Sequence, residues 1–151
     1  MFSFLKRKQK FFSDEEQKLI VSAIQTAERC TSGEVRVYIE SRCSYVDALD
    51  RAVEIFAQMG MQATKERNGV LVYVAIKDKQ LAVFGDEGIH QKVGDEYWNK
   101  EVAKMLHDFD RNNCAKAIAG CVEDIGQALQ QFFPYTADDK NELSDEIQFG
   151  R

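Results

Sequence analysis

Hydrophobic positions change their period along this chain, and each change marks a different element. Leu19, Ile20, Ala23, Ile24 and Ala27 recur at helical spacing behind a capping-box pattern, Ser13 with Glu16 three residues later. Thr31-Ser32-Gly33 stops that helix. Glu34 to Glu40 then alternates strictly, with Val35, Val37 and Ile39 on one face and Arg36 and Tyr38 on the other, the pattern of a half-buried strand. A second helix is predicted from about Tyr45 to Met59, turning Leu49, Ala52, Val53 and Phe56 inward. From Asn68 to Ile76 nearly every residue is apolar and many are β-branched, as in a central strand covered on both faces. Lys77-Asp78-Lys79 reads as a turn, and Gln80 to Gly85 as the antiparallel partner strand. A third helix carries Val93, Tyr97, Trp98, Val102, Met105 and Leu106. A fourth carries Cys114, Ile118, Cys121, Val122, Ile125, Leu129 and Phe132, and Pro134 ends it. Beyond a polar, acidic stretch, Ile147 and Phe149 form a short edge strand.

The order helix-strand-helix-strand-strand-helix-helix predicts an α/β fold: a small mixed sheet of three to four strands flanked on both faces by about four helices. A right-handed crossover through the second helix makes the first two strands parallel. If the turn at Asp78 lies at one end of the sheet, Asn68 and Gly85-Asp86 meet at the other. With the last two helices antiparallel, the chain after Phe132 returns to that same end, and the acidic stretch 138–145 starts beside Asp86.

The length, 151 residues, fits one domain, read as 13–151 behind a flexible basic tail over 1–12. With 44% hydrophobic and 30% charged residues the chain is neither disordered nor membrane-embedded. No apolar run approaches the roughly 20 residues of a bilayer span. The start, MFSFLKRKQKFF, lacks the apolar segment and cleavage site of a secretory signal, so the expected location is the cytoplasm. A net charge of −5 argues against nucleic acid as a partner. Cys30, Cys43, Cys114 and Cys121 show no C-x-x-C pairing, and His90 and His107 complete no zinc pattern with them; these cysteines read as small core residues of a reducing compartment.

The chemical signal worth following is the convergence of Asp86 and Glu87 with the 138–145 stretch. Hard divalent cations take several oxygen ligands, carboxylates and amide or backbone carbonyls, from flexible loops. Asp139, Asn141 and Asp145 present such groups at positions one, three and seven, with Glu142 between them. This is no EF-hand, because Leu143 occupies the fifth position and no glycine makes the turn at the sixth. The alternative is a solvated acidic tail. Cys30 and Arg36 match C-x5-R, but the cysteine ends a helix and the arginine lies within a strand, the inverse of a phosphate cradle. Asp95 and Glu96 read as helix N-terminal capping groups. There is no G-x-S-x-G elbow, G-x-G-x-x-G or P-loop.

Three segments, TSGEVRVYIE, RNGVLVYVAIKDKQLAVFGDEGIHQKVGDEYW and FPYTADDKNELSDEI, resemble the stand-alone, cytoplasmic branch of the TPM-domain family. The resemblance runs from about Phe12 to Phe149 and is specific at Asn68-Gly69, Gly85-Asp86, Gly88-Ile89, Trp98, Phe133-Pro134 and Asp139 to Asp145. It implies an αβα sandwich with divalent ions, calcium in particular, at loops, and acid phosphatase activity in some relatives. It also strengthens the metal reading, with Ca2+ or Mg2+ held by Asp86, Glu87, Asp139, Asn141, Glu142 and Asp145. Three functions follow: a metal-responsive binding or regulatory module, a metal-dependent phosphatase acting on phosphate monoesters with Arg67 as its candidate phosphate clamp, and a metal-independent adaptor.

Overall fold

The computed structural model describes residues 11–109, 113–135 and 147–150. Its elements are α1 (Asp14–Arg29), β1 (Glu34–Glu40), α2 (Ala48–Gln58), β2 (Gly69–Ala75), β3 (Gln80–Gly85), α3 (Glu87–Val93), α4 (Asp95–Phe109), α5 (Cys114–Phe132) and β4 (Gln148–Phe149), with a 3-10 turn at Met61–Ala63. One mixed sheet has the order β3-β2-β1-β4. β1 runs parallel to β2, from Glu34 opposite Gly69 to Glu40 opposite Ala75, and β3 returns antiparallel. β4 adds in parallel against Tyr38 and Ile39, as expected of Ile147 and Phe149. The fold is the α/β sandwich that the periodicity predicts.

Every residue of β2 is buried, so the sheet needs cover on both faces. On one face Val35, Val37, Ile39, Val70, Val72, Val74, Leu81 and Val83 meet α1, α4 and α5. On the other, Leu71, Tyr73, Ala75 and Ala82 meet α2 and the buried Met61 of the 3-10 turn. Phe12, assigned by the sequence to the tail, is buried in the larger core, and Phe11 stacks on Phe149 with centroids 6.1 Å apart.

The structure corrects four expectations. α2 starts at Ala48, where Asp47 caps it by accepting from the Leu49 amide, and it buries Ala48, Ala52, Ile55 and Phe56; Leu49 and Val53 stay exposed. The third predicted helix opens at Asp95 as expected, but a short helix, α3, precedes it and carries Val93, with Gly94 at φ 81° separating the two. Leu106 is exposed. Arg36 is buried, its guanidinium held by Glu28 at 2.5 Å and Glu34 at 3.3 Å. The same Glu28 carboxylate accepts from the Val35 amide at 2.9 Å, which satisfies an outward-facing backbone donor on the β1 edge that β4 is too short to cover.

The α4–α5 interface holds one buried acid. Glu101 is 4% exposed; Lys104 lies 3.6 Å from it and 2.5 Å from Asp124, the Cys121 thiol is beside it, and the Tyr97 hydroxyl donates to the Asp124 carbonyl. Burial first, then the Asp124 charge, pushes the Glu101 carboxyl up to about 7, with Lys104 opposing. The folded chain therefore holds a proton that the unfolded chain releases near 4.5, and stability falls as pH rises through that window. Glu101→Gln removes this loss. Urea unfolding should show wild type and variant equal near pH 4.5, with the variant more stable above pH 8 by up to about 3 kcal/mol. A constant difference across pH would place the titrating proton elsewhere.

Candidate functional site

Two chain reversals build one end of the sheet. The turn after β2 places Asp78 at the far end, where its carboxylate binds Arg42 at 2.9 Å and the Cys43 amide at 2.8 Å. Asn68 and Asp86 therefore lie side by side at the near end, joined by the Asp86 amide donating to the Gly69 carbonyl at 2.9 Å. The chain leaving α5 arrives there too. Ser32 donates its amide to the Phe133 carbonyl at 3.0 Å, Thr31 bridges to Pro134, and the Tyr135 amide donates to the Cys30 carbonyl at 3.2 Å. The convergence read from the connectivity is the observed one, as far as Tyr135.

Asp86 caps α3 by accepting from the Glu87 amide at 2.8 Å. Its carboxylate is buried and also takes a two-point grip from Arg67, Nε to Oδ2 at 2.6 Å and Nη2 to Oδ1 at 2.9 Å. Arg67 reaches it from a left-handed backbone conformation, φ 53°, which costs a non-glycine residue about 1–2 kcal/mol. The Arg67 carbonyl accepts from the Gly88 amide at 2.8 Å, and a Cβ on Gly88 would sit 2.1 Å from the Glu66 carbonyl oxygen. Gly88 is thus required by the close approach of two backbones. Arg67 and Asp86, 19 residues apart, form a latch between the loop before β2 and the start of α3. Beside the latch Glu87 stays exposed, 3.7 Å from Arg67 Nη1.

Asn68 is 1% exposed. Its amide N–H donates from the backbone to Thr64 Oγ1 at 3.1 Å, and its side-chain Nδ2 donates to Ser32 Oγ at 3.3 Å. The Ser32 hydroxyl spends its only proton on Glu66 Oε2 at 3.2 Å, so it can only accept from Asn68. That fixes the Asn68 amide with nitrogen toward Ser32 and leaves Oδ1 a buried acceptor with no hydrogen-bond partner among the described residues. Sequence reasoning marked Asn68 as a position at this end but missed it as a donor set member; the Asn-Gly before an apolar strand reads first as a turn.

A cleft of about 710 Å3 opens beside the latch, lined by Asp86, Glu87, His90 and Asp95 at one end, with Trp98 and the outer side of β3 as floor and wall. Trp98 Nε1 donates to His90 Nδ1 at 3.0 Å, which puts the neutral imidazole's proton on Nε2, 3.4 Å from Asp95.

Of the residues singled out as metal ligands, the structure places Asp86 and Glu87 at one helix start, and it binds Asp86 to Arg67, the candidate clamp. Asp139, Asn141, Glu142 and Asp145 lie outside the described residues. Among the described residues no three His, Cys, Asp or Glu side chains gather closely enough to hold a metal ion by themselves. A calcium or magnesium site at this end fits the neutral buried oxygen of Asn68 and the exposed Glu87 carboxylate, which an ion would share with Arg67, provided the 138–145 stretch completes the set.

Comparison with known proteins agrees with this architecture. No curated protein matches the chain. Among solved structures it is similar to the BA42 protein from the psychrophilic bacterium Bizionia argentinensis, at 39% identity and a TM-score of 0.85, over 95% of this chain and 99% of that one. It also shares the fold of the N-terminal domain of the cg2496 protein from Corynebacterium glutamicum, at 14% identity and a TM-score of 0.62, over 79% of this chain and 74% of that one. The family model of the TPM domain matches residues 5–128, which include Asn68, the latch and the cleft, and the chain belongs to the TPM domain family.

Proposed function

We propose that this TPM domain is a divalent-cation-responsive binding module, in which Ca2+ or Mg2+ joins the near end of the sheet to the acidic 138–145 stretch. The observation that carries the reading is the unpartnered buried Oδ1 of Asn68, a preset oxygen donor at the point where the chain leaves Pro134. Glu87 supplies an exposed carboxylate, held only at 3.7 Å by Arg67. Asp139, Asn141, Glu142 and Asp145 supply the remainder, and Asp86, held by Arg67, fixes the backbone around them. When bound, the ion supplies charge neutralisation and orders the loop. All four cysteines are free thiols, which suits the cytoplasm, and no helix among the described residues is long and apolar enough to cross a membrane.

The phosphatase reading finds less support. A phosphoryl group needs a free cationic clamp, and Arg67 spends its Nε–Nη2 edge on Asp86 while Nη1 faces Glu87 at 3.7 Å. Turnover of a generic phosphate monoester, with Ca2+ or Mg2+ present, should stay at the level of a chelator-treated control. Saturable metal-dependent hydrolysis lost in Arg67→Ala would reinstate that activity.

An ion that binds only the folded chain adds roughly 2.7 kcal/mol at 100-fold above its dissociation constant. For a domain of this size that is a rise of about 5–10 °C in melting temperature. Thermal melts of chelator-treated protein with added CaCl2 or MgCl2 should show that rise. Asn68→Ala and Asp139→Asn should each remove most of it, and the pair should remove little more. Asp86→Asn is a different control: it breaks the latch, so it should lower the melting temperature even in chelator. An unmoved melting curve in wild type leaves the metal-independent adaptor as the function.

A further inference from the structure

The two edges of the sheet are treated differently. On the β1 side, β4 covers Tyr38 and Ile39, and the Glu28 carboxylate satisfies the Val35 amide. The β3 side has no such guard among the described residues. The Asp86 amide donates to the Gly69 carbonyl directly opposite, so by the two-residue period Phe84, Ala82 and Gln80 exchange hydrogen bonds with Leu71, Tyr73 and Ala75. The N–H and C=O groups of Leu81, Val83 and Gly85 therefore face outward. No strand pairs with them among the described residues.

Unguarded edges are a liability, and proteins normally shorten, charge or cover them. Here the edge lies in the cleft, between α2 packed on one face of β3 and α4 on the other. Leu49 from α2 and Val102 from α4 form opposite walls. Val53 and Leu106 lie outside the cleft lining but four residues from Leu49 and Val102, on the same faces of their helices. Leu49, Val53 and Leu106, like Leu19 on α1, are residues that periodicity turns inward and the structure leaves about 40% exposed. A strand laid along β3 would put alternate side chains against the α2 wall and the α4 wall and would cover all three.

The charge of the cleft identifies its occupant. Its lining holds four carboxylates, Asp47, Asp86, Glu87 and Asp95, and neither a lysine nor an arginine. Asp86 is matched by Arg67, whereas Asp95 is 87% exposed and Glu87 64%. We propose that the β3 edge is a docking site for an extended peptide segment of a protein partner, apolar at alternate positions and carrying lysine or arginine at the end that meets Glu87 and Asp95. Main-chain pairing to Leu81, Val83 and Gly85 supplies affinity, and the two walls and the acidic end supply specificity. This names a partner class for the module proposed above but stands on separate observations. Where a cation binds at Glu87, it competes with the basic end of the peptide.

The test uses the full chain and a set of synthetic seven-residue peptides with Lys or Arg at both ends and alternating Val, Ile, Leu or Phe between. Two control sets replace the ends by Glu, or the central residue by Pro, which removes a backbone donor. Fluorescence anisotropy in chelator should give saturable binding for members of the basic set, at least tenfold tighter than for either control set. Hydrogen exchange should show the amides of Leu81, Val83 and Gly85 slowed at least tenfold by the bound peptide. The surface variant Glu87→Lys/Asp95→Lys should weaken the basic peptides tenfold or more and leave the melting temperature in chelator near that of wild type. The proposal is overturned if no member of the basic set saturates below 1 mM (about the weakest affinity worth measuring), if binding leaves those three amides unprotected, or if charge reversal has no effect. Repeating the titration with CaCl2 separates the two readings: binding weakened by calcium supports both, and binding indifferent to calcium keeps the docking edge while removing the metal from Glu87.

Discussion

A strand buried on both faces dictates the rest of this molecule. Gly69 to Ala75 exposes no side chain, so the sheet must be covered above and below and paired on both sides of β2. The chain meets that demand unevenly. Three long helices, α1, α4 and α5, cover one face, and α2 is the single α-helix on the other, helped by Met61 of the 3-10 turn. Eleven residues of helix cannot shield a whole sheet face, and α2 lies over the β2–β3 half. That placement turns the outer rim of β3 into the floor of a cleft, whereas the β1 rim is closed by a carboxylate and a two-residue strand.

The same strand positions the site. Because β2 and β3 are joined by a tight turn at Asp78, whatever precedes β2 must lie beside whatever follows β3. The loop residue Arg67 and the cap Asp86 are therefore neighbours by topology before any side-chain attraction acts. Their ion pair then fixes the approach closely enough that only glycine fits at position 88. A buried carboxylate without such a partner is costly, and breaking a pair of this kind is more damaging than never having had it. The latch is thus a condition for the fold at this end as well as part of the site.

Periodicity and turn chemistry made the sheet, its order of strands and the meeting of Asn68, Asp86 and Pro134 legible from sequence, because each depends on local pattern and short connections. Three kinds of feature were not. Leu49, Val53 and Leu106 sit at helical spacing with core residues, and spacing cannot tell a wall of the core from a wall of an open cleft. α3 is seven residues long, too short for periodicity to report, so it was missed and its Val93 was read with the helix that opens at Asp95. The Arg67–Asp86 pair and the orphan oxygen of Asn68 depend on contacts between residues 19 and 36 positions apart, which no local rule reports. Arg36 belongs with these: an arginine within an alternating strand reads as a solvent-facing position until Glu28 is brought over the edge to meet it.

The electrostatics of the near end give the metal reading its physical sense. One arginine neutralises one buried carboxylate there, and Glu87 and Glu66 remain nearby. The 138–146 stretch carries five further carboxylates, Asp138, Asp139, Glu142, Asp145 and Glu146, on a chain whose departure point is pinned to Cys30. At an effective dielectric near 20, two like charges 4 Å apart repel by about 4 kcal/mol, and salt screens this only in part. A water molecule at Asn68 Oδ1 would satisfy the orphan lone pair and leave that repulsion untouched. A divalent cation does both, accepting the lone pair and offsetting the charge. The two observations, an acceptor without a donor among the described residues and acidity without enough bases, have separate origins in the chain, and the proposed cation answers both.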